Sequence, residues 1–327
     1  MSKAIPSHRP LYSEKQISKY FSHISLPQDL QELYHTSSLH KNSNETLHFL
    51  TQLQRHQLAT APFENLQLHY SSHHTISLDP GYLYSKIVEE DNRGGYCMEN
   101  NCFFGTVLRS LGFTVHNAGA RVSHAVTGDP AGGFECWCHM INIVTLSDGK
   151  KYMLDVGFGG NGPIQPLLLD PEHSHSQYIP PAEVRLIYDN IPDNTDPNQK
   201  LWIYQHRIDP DAPWVPMYCF TELEFLPSDY EMMNMRTSQS RTSFFTYRVM
   251  VVKMILEQGE VVGTLMLVGA EVKRRVRGKA EHIMTCKTEV ERVQALGKWF
   301  GIRLREDEKA GIKGMVTELH GESNIGD

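Results

Sequence analysis

One stretch of this sequence reads Arg93-Gly94-Gly95-Tyr96-Cys97-Met98-Glu99-Asn100-Asn101. The two glycines permit a tight backbone turn, and the apolar residues between Cys102 and Leu111 recur at helical spacing. The pattern therefore predicts a helix that begins close to Cys97. Free backbone N–H groups and the helix dipole favour an anion at that position, and a thiolate is such an anion. Cys97 is a candidate nucleophile; the alternative interpretation is a small buried apolar residue.

A nucleophilic thiol needs a base, and the base needs an orienting group. Residues 136–144 read Cys-Trp-Cys-His-Met-Ile-Asn-Ile-Val and are typical of a strand, with residues 152–156 as the partner strand of a hairpin. His139 on the first strand and Asp155 on the second are the candidate base and orienting acid. The alternatives are a hydrogen-bonded core histidine and an aspartate that starts a turn.

The length of the hairpin turn decides whether these two side chains can meet. A two-residue turn would place Asp155 opposite Asn142, pointing away from His139. A three-residue turn at 147–149, with its glycine in the left-handed conformation, places Asp155 opposite Ile141 and on the same face as His139. We predict this second register, because it gives a buried acid a partner.

A metal site built from Cys136, Cys138 and His139 is the other chemistry that this strand could support. Successive residues of a strand point to opposite faces, so Cys138 and His139 diverge. The spacing of the two cysteines is also shorter than that of usual zinc ligands. We therefore predict no metal.

Composition narrows the class of protein. The 327 residues are 40% hydrophobic, 9% aromatic and 21% charged, which excludes wholesale disorder and suggests two or three domains. A formal net charge of −7 argues against nucleic-acid binding. No apolar run approaches the roughly 20 residues of a membrane span, and the N-terminus lacks a signal-peptide pattern. Six cysteines are too few for a disulfide scaffold. We expect a cytoplasmic protein without nucleic-acid or membrane partners.

The periodicity changes along the chain. Helical patterns extend from residue 11 to about residue 95, short β-rich runs follow from Gly112, and the last part mixes both. In that last part we predict strands at 244–256 and 261–268 and a helix at 288–300. The basic run Lys273-Arg274-Arg275-Val276-Arg277 is interpreted as a solvated turn, with coenzyme A phosphate binding as the alternative.

Taken together, these residues resemble the arylamine N-acetyltransferases. The resemblance rests on the cysteine motif at 93–99 and on three further motifs in the family's order. These are Pro62-Phe63-Glu64-Asn65-Leu66, Asp155-Val156-Gly157-Phe158-Gly159, and Pro227-Ser228-Asp229-Tyr230-Glu231 followed by Ser240-Arg241-Thr242-Ser243-Phe244-Phe245. The resemblance implies an α+β fold with a cysteine-protease-like Cys-His-Asp triad. It divides the chain into an N-terminal helical bundle (1–95), a central β-barrel that carries the triad (96–220) and a C-terminal α/β lid (221–327).

The resemblance also implies an activity. Cys97 matches the acyl-accepting thiol, His139 the base and Asp155 the carboxylate that orients the imidazole. Enzymes of this family take an acyl group (acetyl, malonyl or propionyl) from acyl-coenzyme A and pass it to an arylamine, arylhydroxylamine or hydrazine by a ping-pong mechanism, which serves xenobiotic detoxification. Coenzyme A is then a substrate and no cofactor is permanently bound.

Five positions match coenzyme A contacts of the family: Trp137, Cys138, Arg236, Thr242 and Ser243. Arg236 stands where some relatives have an aromatic residue, and this extra cation favours an acidic acyl group such as malonyl. Two other functions remain open from the sequence. Thiol proteases and transglutaminases use the same order of Cys, His and Asp, and a non-catalytic relative would bind ligands only.

Overall fold

The computed structural model describes residues 9–36, 39–90, 92–129 and 132–321. The first part of the described chain is helical, with one short strand inserted. In chain order its elements are α1 (Glu14–His23), α2 (Gln28–His35), α3 (Ser43–Thr60), β1 (Phe63–Glu64), α4 (Gln67–Tyr70), α5 (Pro80–Tyr84), which continues as a π-helical turn (Ser85–Glu89), and α6 (Cys97–Ser110). Apolar faces drive this packing, as in α1, which buries Ile17, Tyr20 and Phe21. The predicted N-terminal helical bundle is confirmed.

The middle of the chain forms an eight-stranded antiparallel sheet within the described residues. Its strands are β2 (Thr114–Ser123), β3 (Phe134–Thr145), β4 (Lys151–Leu154), β5 (Leu167–Leu168), β6 (Ser176–Gln177), β7 (Glu183–Asp189), β8 (Leu201–Arg207) and β9 (Val215–Glu224). The strand order is β5-β4-β3-β2-β9-β8-β7-β6, and β5 also contacts β7. The sheet therefore curls into a nearly closed barrel, as predicted.

The hairpin of β3 and β4 has the predicted register. Asn142 pairs with Leu154, and Gly149 of the connecting turn has a φ of +82°. A three-residue loop with a left-handed glycine produces this pairing. Asp155, the residue after β4, consequently lies on the face of the hairpin that carries His139.

The last part of the described chain combines a second antiparallel sheet with helices. Its elements are α7 (Pro227–Gln239), α8 (Phe244–Tyr247), β10 (Met250–Glu257), β11 (Glu260–Val268), β12 (Glu271–Val276), β13 (Lys279–Thr285), α9 (Glu289–Ala295), which continues as a π-helical turn (Leu296–Phe300), and α10 (Glu306–Gly311). The sheet order is β1-β10-β11-β12-β13. Strand β1 thus joins the first part of the chain to the last through the pair Phe63 and Val252.

The segment before β10 differs from the prediction of a strand over 244–256. Its first residues form α8, and the strand begins only at Met250. Asn65 determines this path, because its amide Nδ2 donates to the carbonyl oxygens of Phe245 (2.9 Å) and Arg248 (2.8 Å). Its Oδ1 accepts from the Met250 N–H at 2.8 Å. A distant side chain therefore overrides the local strand propensity.

The basic run at 273–277 also differs from its interpretation as a turn. Most of it lies in β12, where Arg275 pairs with Thr264 of β11, and the backbone turns only at Arg277, whose φ is +47°. The predicted helix at 288–300 is present as α9 and its π-helical turn.

The proposed division of the chain at 95/96 and 220/221 stays a prediction. Strand β1 precedes the first boundary yet belongs to the second sheet, and β9 runs across the second boundary. Residues 1–8 and 322–327 of the predicted domains lie outside the described residues. Among the helices that the structure describes, none has the length and apolar character needed to span a membrane.

Candidate active site

The candidate nucleophile lies where the sequence predicts it. Helix α6 begins at Cys97, and the Tyr96 N–H at its start donates to Oε2 of Glu99 at 3.0 Å. A Cβ atom on Gly94 would lie 1.9 Å from the carbonyl oxygen of Pro62, so the chain can approach α6 along this path only with glycine there. The Cys97 side chain is buried, with 4% of the residue exposed.

His139 and Asp155 form a buried pair beside it. Nε2 of His139 lies 2.7 Å from Oδ2 of Asp155. The other carboxylate oxygen, Oδ1, accepts from Nδ2 of Asn101 and from the N–H of Gly157, both at 2.8 Å. Burial alone would raise the pKa of Asp155, but the adjacent His139 and these hydrogen bonds hold that pKa below its ordinary value. Asp155 is therefore ionised at neutral pH.

The ionised carboxylate determines the tautomer of the imidazole. A carboxylate only accepts hydrogen bonds, so Nε2 of His139 carries the proton and Nδ1 keeps a lone pair. The Sγ atom of Cys97 lies 3.6 Å from the carbonyl oxygen of Cys138, the residue that precedes His139. The structure thus places the three predicted residues in one neighbourhood, because the Cys97 sulfur lies against the backbone next to His139 and Gly157 lies against Cα of Cys97.

The pKa of the Cys97 thiol does not follow the expectation that a cysteine at the start of a helix has a lowered pKa. Burial raises the pKa of Cys97 well above its ordinary value, and the negative charge of Asp155 raises it further. The Met98 N–H at the start of α6 acts in the opposite direction but does not outweigh them. Loss of the thiol proton at this buried position therefore requires a base.

Gly157 allows the carboxylate loop to lie directly against the nucleophile helix. A Cβ atom there would lie 2.8 Å from Cα of Cys97 and 2.7 Å from Nδ2 of Asn101. Aromatic rings close the other side of the imidazole, since Phe158 and Tyr218 lie with ring centroids 5.3 and 5.0 Å from that of His139. Such packing holds the imidazole orientation and limits water around it.

A buried ionic cluster supports the start of α6. Glu64 of β1 accepts from Nε of Arg93 at 3.1 Å, and Nη1 of Arg93 donates to Oε1 of Glu308, on α10, at 2.8 Å. Nζ of Lys86 lies 2.7 Å from Oε1 of Glu99 and 3.6 Å from Oε1 of Glu64. Burial alone would raise the pKa of Glu64, but the charges of Arg93 and Lys86 lower it to about 2.

The cluster predicts a pH-dependent stability. The Glu64→Gln variant leaves two buried cations short of a counter-charge, so we expect its free energy of unfolding at pH 7 to fall by about 3 kcal/mol or more. The carboxylate contributes fully above its unfolded pKa near 4.5, and this contribution is lost as the pH falls towards 2. Urea unfolding between pH 7 and pH 3 should therefore show the deficit narrowing below pH 4.5.

Glu89→Gln is the matched control, because Glu89 pairs with Lys19 on the surface, where each side chain is about half exposed. An exposed pair contributes less than about 1 kcal/mol. Equal stability of the two variants at pH 7 would contradict a structural role for the cluster.

A cleft of about 250 Å³ separates the barrel from the second sheet. Phe63 and Met250 at its inner end belong to the apolar cluster that contains Cys97, and Phe158 there packs against His139. Its outer end is lined by residues of both sheets, among them Tyr178, His206, Thr264 and Arg275. The cleft is thus bordered by residues that pack against Cys97 and His139, although the three predicted residues do not line it themselves.

Comparisons with known proteins bear on this arrangement. A family profile described as N-acetyltransferase matches residues 46–309, which is most of the chain. The structure of the arylamine N-acetyltransferase of Salmonella typhimurium superposes with a TM-score of 0.72 at 26% identity, covering 93% of this chain and 98% of that one. The chain belongs to the arylamine N-acetyltransferase family.

Two further relatives are informative. The N-malonyltransferase FDB2 of Fusarium pseudograminearum is 39% identical over 322 residues, which cover 93% of both chains. The Mycobacterium marinum arylamine N-acetyltransferase, solved in complex with CoA, superposes with a TM-score of 0.71 at 25% identity, covering 90% of this chain and 98% of that one. The protein is accordingly an acyltransferase that uses acyl-coenzyme A as a substrate.

The positions that match coenzyme A contacts of the arylamine N-acetyltransferases lie outside the lining of this cleft. The Trp137 ring is covered by the guanidinium of Arg121 at 4.2 Å. Arg236 is exposed on α7. The pKa of Cys136 is lowered to about 6, mainly by a hydrogen bond between Cys136 and Cys138 and to a smaller extent by the charge of Arg236. Thr242 and Ser243 precede α8. The roles of these residues stay predictions.

Sequence reasoning missed the residue that joins the parts of the site. Asn101 stands four residues after Cys97 and therefore on the same face of α6. Its Nδ2 donates to Asp155 and to the carbonyl oxygen of Met140, and its Oδ1 accepts from the Val156 N–H at 3.0 Å. The four-residue spacing from the candidate nucleophile was the available signal. Among the described residues, no group of three or more His, Cys, Asp and Glu side chains could hold a metal ion.

Proposed function

We propose that this protein transfers an acyl group from acyl-coenzyme A through a thioester on Cys97 to the nitrogen of an arylamine or hydrazine, or to the oxygen of an arylhydroxylamine. The observation that carries the proposal is the contact of His139 with an ionised Asp155, with the Cys97 sulfur 3.6 Å from the backbone oxygen of the residue before His139. In this proposal His139 accepts the thiol proton through Nδ1 as Sγ attacks the thioester carbonyl, and coenzyme A leaves as the thiol.

The second half of the reaction uses the same groups. The arylamine nitrogen attacks the Cys97 thioester, the amine loses a proton to the imidazole, and the Cys97 sulfur leaves and regains a proton. Thioester exchange is nearly isoenergetic, so the first half is readily reversible, whereas amide formation drives the second half. This chemistry suits the detoxification of foreign amines, with the cytoplasm as the expected location.

We further propose malonyl-coenzyme A as the preferred donor. The support is the 39% identity to a relative named N-malonyltransferase along nearly the whole of both chains. The Arg236 cation supports the same choice, because it can attract the carboxylate of a malonyl group as the donor approaches.

Intact-protein mass spectrometry tests the proposal. The wild-type protein is mixed with malonyl-, acetyl- or propionyl-coenzyme A in the absence of an amine. We expect the mass of one acyl group to appear, fastest with the malonyl donor, to map to Cys97 and to disappear when an arylamine is added. Absence of an adduct with every donor would contradict acyl transfer, and equal rates for the three donors would contradict the malonyl preference.

A further inference from the structure

The outer end of the cleft collects polar side chains that the reaction at Cys97 does not use. Thr264 and Arg275 are cross-strand neighbours on β11 and β12, so both point to the same face of the second sheet. Tyr178 and His206 face them from the barrel, with their ring centroids 5.1 Å apart. The end of the β12–β13 hairpin closes the cleft, since a Cβ on Gly278 would lie 3.6 Å from Cδ of Pro181.

The other cations of the basic run have acidic partners. Lys273 pairs with Glu271, Arg274 with Glu281 and Arg277 with Glu257. Arg275 has no carboxylate partner among the described residues, and its side chain is exposed to the cleft. A positive charge is therefore available for a ligand at this end.

His206 adds an unused polar atom. The residue is only 5% exposed, and its Nε2 has no hydrogen-bond partner among the described residues. Burial, and to a smaller extent the charge of Arg275, lower the pKa of His206 to about 4. A neutral imidazole in this position can donate one N–H to an acceptor in the cleft, and a buried polar atom gains most from such a partner.

Distance decides which anion fits. Three strand spacings of the second sheet separate β1, next to the nucleophile helix, from β12, which amounts to about 14 Å. The carboxylate of a malonyl thioester stands only two carbons beyond the carbonyl that Cys97 attacks, so it cannot reach Arg275. The phosphates of coenzyme A stand at the far end of the pantetheine arm, whose extended length is comparable with this separation.

We propose that Arg275, with His206 beside it, binds a phosphate group of coenzyme A at the outer end of the cleft while the thioester lies at Cys97. This inference rests on the proposed function for the choice of ligand. The guanidinium supplies the charge, and the imidazole N–H supplies a directed hydrogen bond to a phosphate oxygen. Arg275 is thus a binding residue for the donor and makes no contact with the reacting atoms.

The test compares Arg275→Ala with the matched control Arg274→Ala, which removes a cation of the same run that is paired with Glu281. Calorimetric titration with free coenzyme A measures binding without requiring acyl transfer. We expect the Kd of the Arg275→Ala variant to rise about tenfold, and that of the control less than about twofold. The KM for malonyl-coenzyme A should rise in parallel, with kcat unchanged.

Two further compounds, one without phosphates and one without the 3′-phosphate, separate the possible outcomes. p-Nitrophenyl acetate, a donor without phosphates, should acylate the wild type and Arg275→Ala at the same rate. The Kd for dephospho-coenzyme A is measured for the wild type and for Arg275→Ala. If the two values no longer differ, Arg275 contacts the 3′-phosphate; if they still differ, Arg275 contacts the diphosphate. Equal Kd values for the two arginine variants would overturn the inference. If the wild type binds coenzyme A through Arg275 but accepts no acyl group from any donor, the proposed function fails and the binding site stands.

Discussion

Cys97→Ser is expected to reduce acyl transfer by more than about a thousandfold while the protein stays folded. The hydroxyl occupies nearly the same space as the thiol, so the packing around the start of α6 is retained. A serine hydroxyl is far harder to deprotonate, and a buried site in which the thiol pKa is already raised disfavours an alkoxide still more. Intact mass spectrometry with malonyl-coenzyme A should show no acyl adduct on this variant.

Cys102→Ser is the matched control for this substitution. Cys102 lies on the same helix, and its Sγ donates a hydrogen bond to the carbonyl oxygen of Leu78 at 3.6 Å, which a hydroxyl can also make. The control should be acylated at the wild-type rate. An acyl adduct that forms on Cys97→Ser as fast as on the wild type would exclude Cys97 as the acceptor.

Asp155→Asn is expected to lower the acylation rate by about three to four orders of magnitude. Two donors, Asn101 Nδ2 and the Gly157 N–H, face Oδ1, so an asparagine must keep its oxygen there and turn its NH₂ group towards His139. Nε2 of the imidazole then has to accept, and the proton moves to Nδ1. Nδ1 can then no longer accept the thiol proton, as the proposed mechanism requires.

The pH profile distinguishes this positioning role from a general loss of structure. Alkylation of Cys97 by iodoacetamide requires no acyl donor, and in the wild type its rate should level off once the imidazole can accept the thiol proton. In Asp155→Asn the rate should instead keep rising into the alkaline range, because only bulk hydroxide deprotonates the buried thiol. Asp148→Asn, in the exposed turn of the same hairpin, should resemble the wild type. Identical profiles for the two variants would show that Asp155 is merely structural.

The sequence predicted the contact of His139 with Asp155 because strand geometry is simple. Side chains alternate with a period of two, so the length of one turn decides which of them share a face. The start of α6 was predictable for a similar reason, since glycines and helical spacing are local signals. The partition into helical, barrel and α/β regions followed from changes in periodicity together with the family resemblance.

The parts that escaped prediction depend on contacts between distant segments. No local pattern connects Asn65 with the backbone at 245–250, and yet that contact replaces the start of a predicted strand by a helix. The basic run was interpreted as a turn because charge alone does not report strand pairing; Arg274 and Arg275 are strand residues of β12 that pair with Leu265 and Thr264. Asn101 was missed because a buried asparagine resembles any polar residue of a helix until its partners are known.

The ion cluster around Arg93 has a consequence for how the protein is made. Arg93 precedes the nucleophile by four residues, but one of its two carboxylate partners, Glu308, lies on α10, close to the end of the described chain. Likewise, β1 finds its strand partner only at β10. Protein synthesis proceeds from the N-terminus. Until β10 and α10 have been synthesised, the turn that presents Cys97 therefore lacks both supports, and a growing polypeptide acquires its reactive centre only after these later segments have left the ribosome.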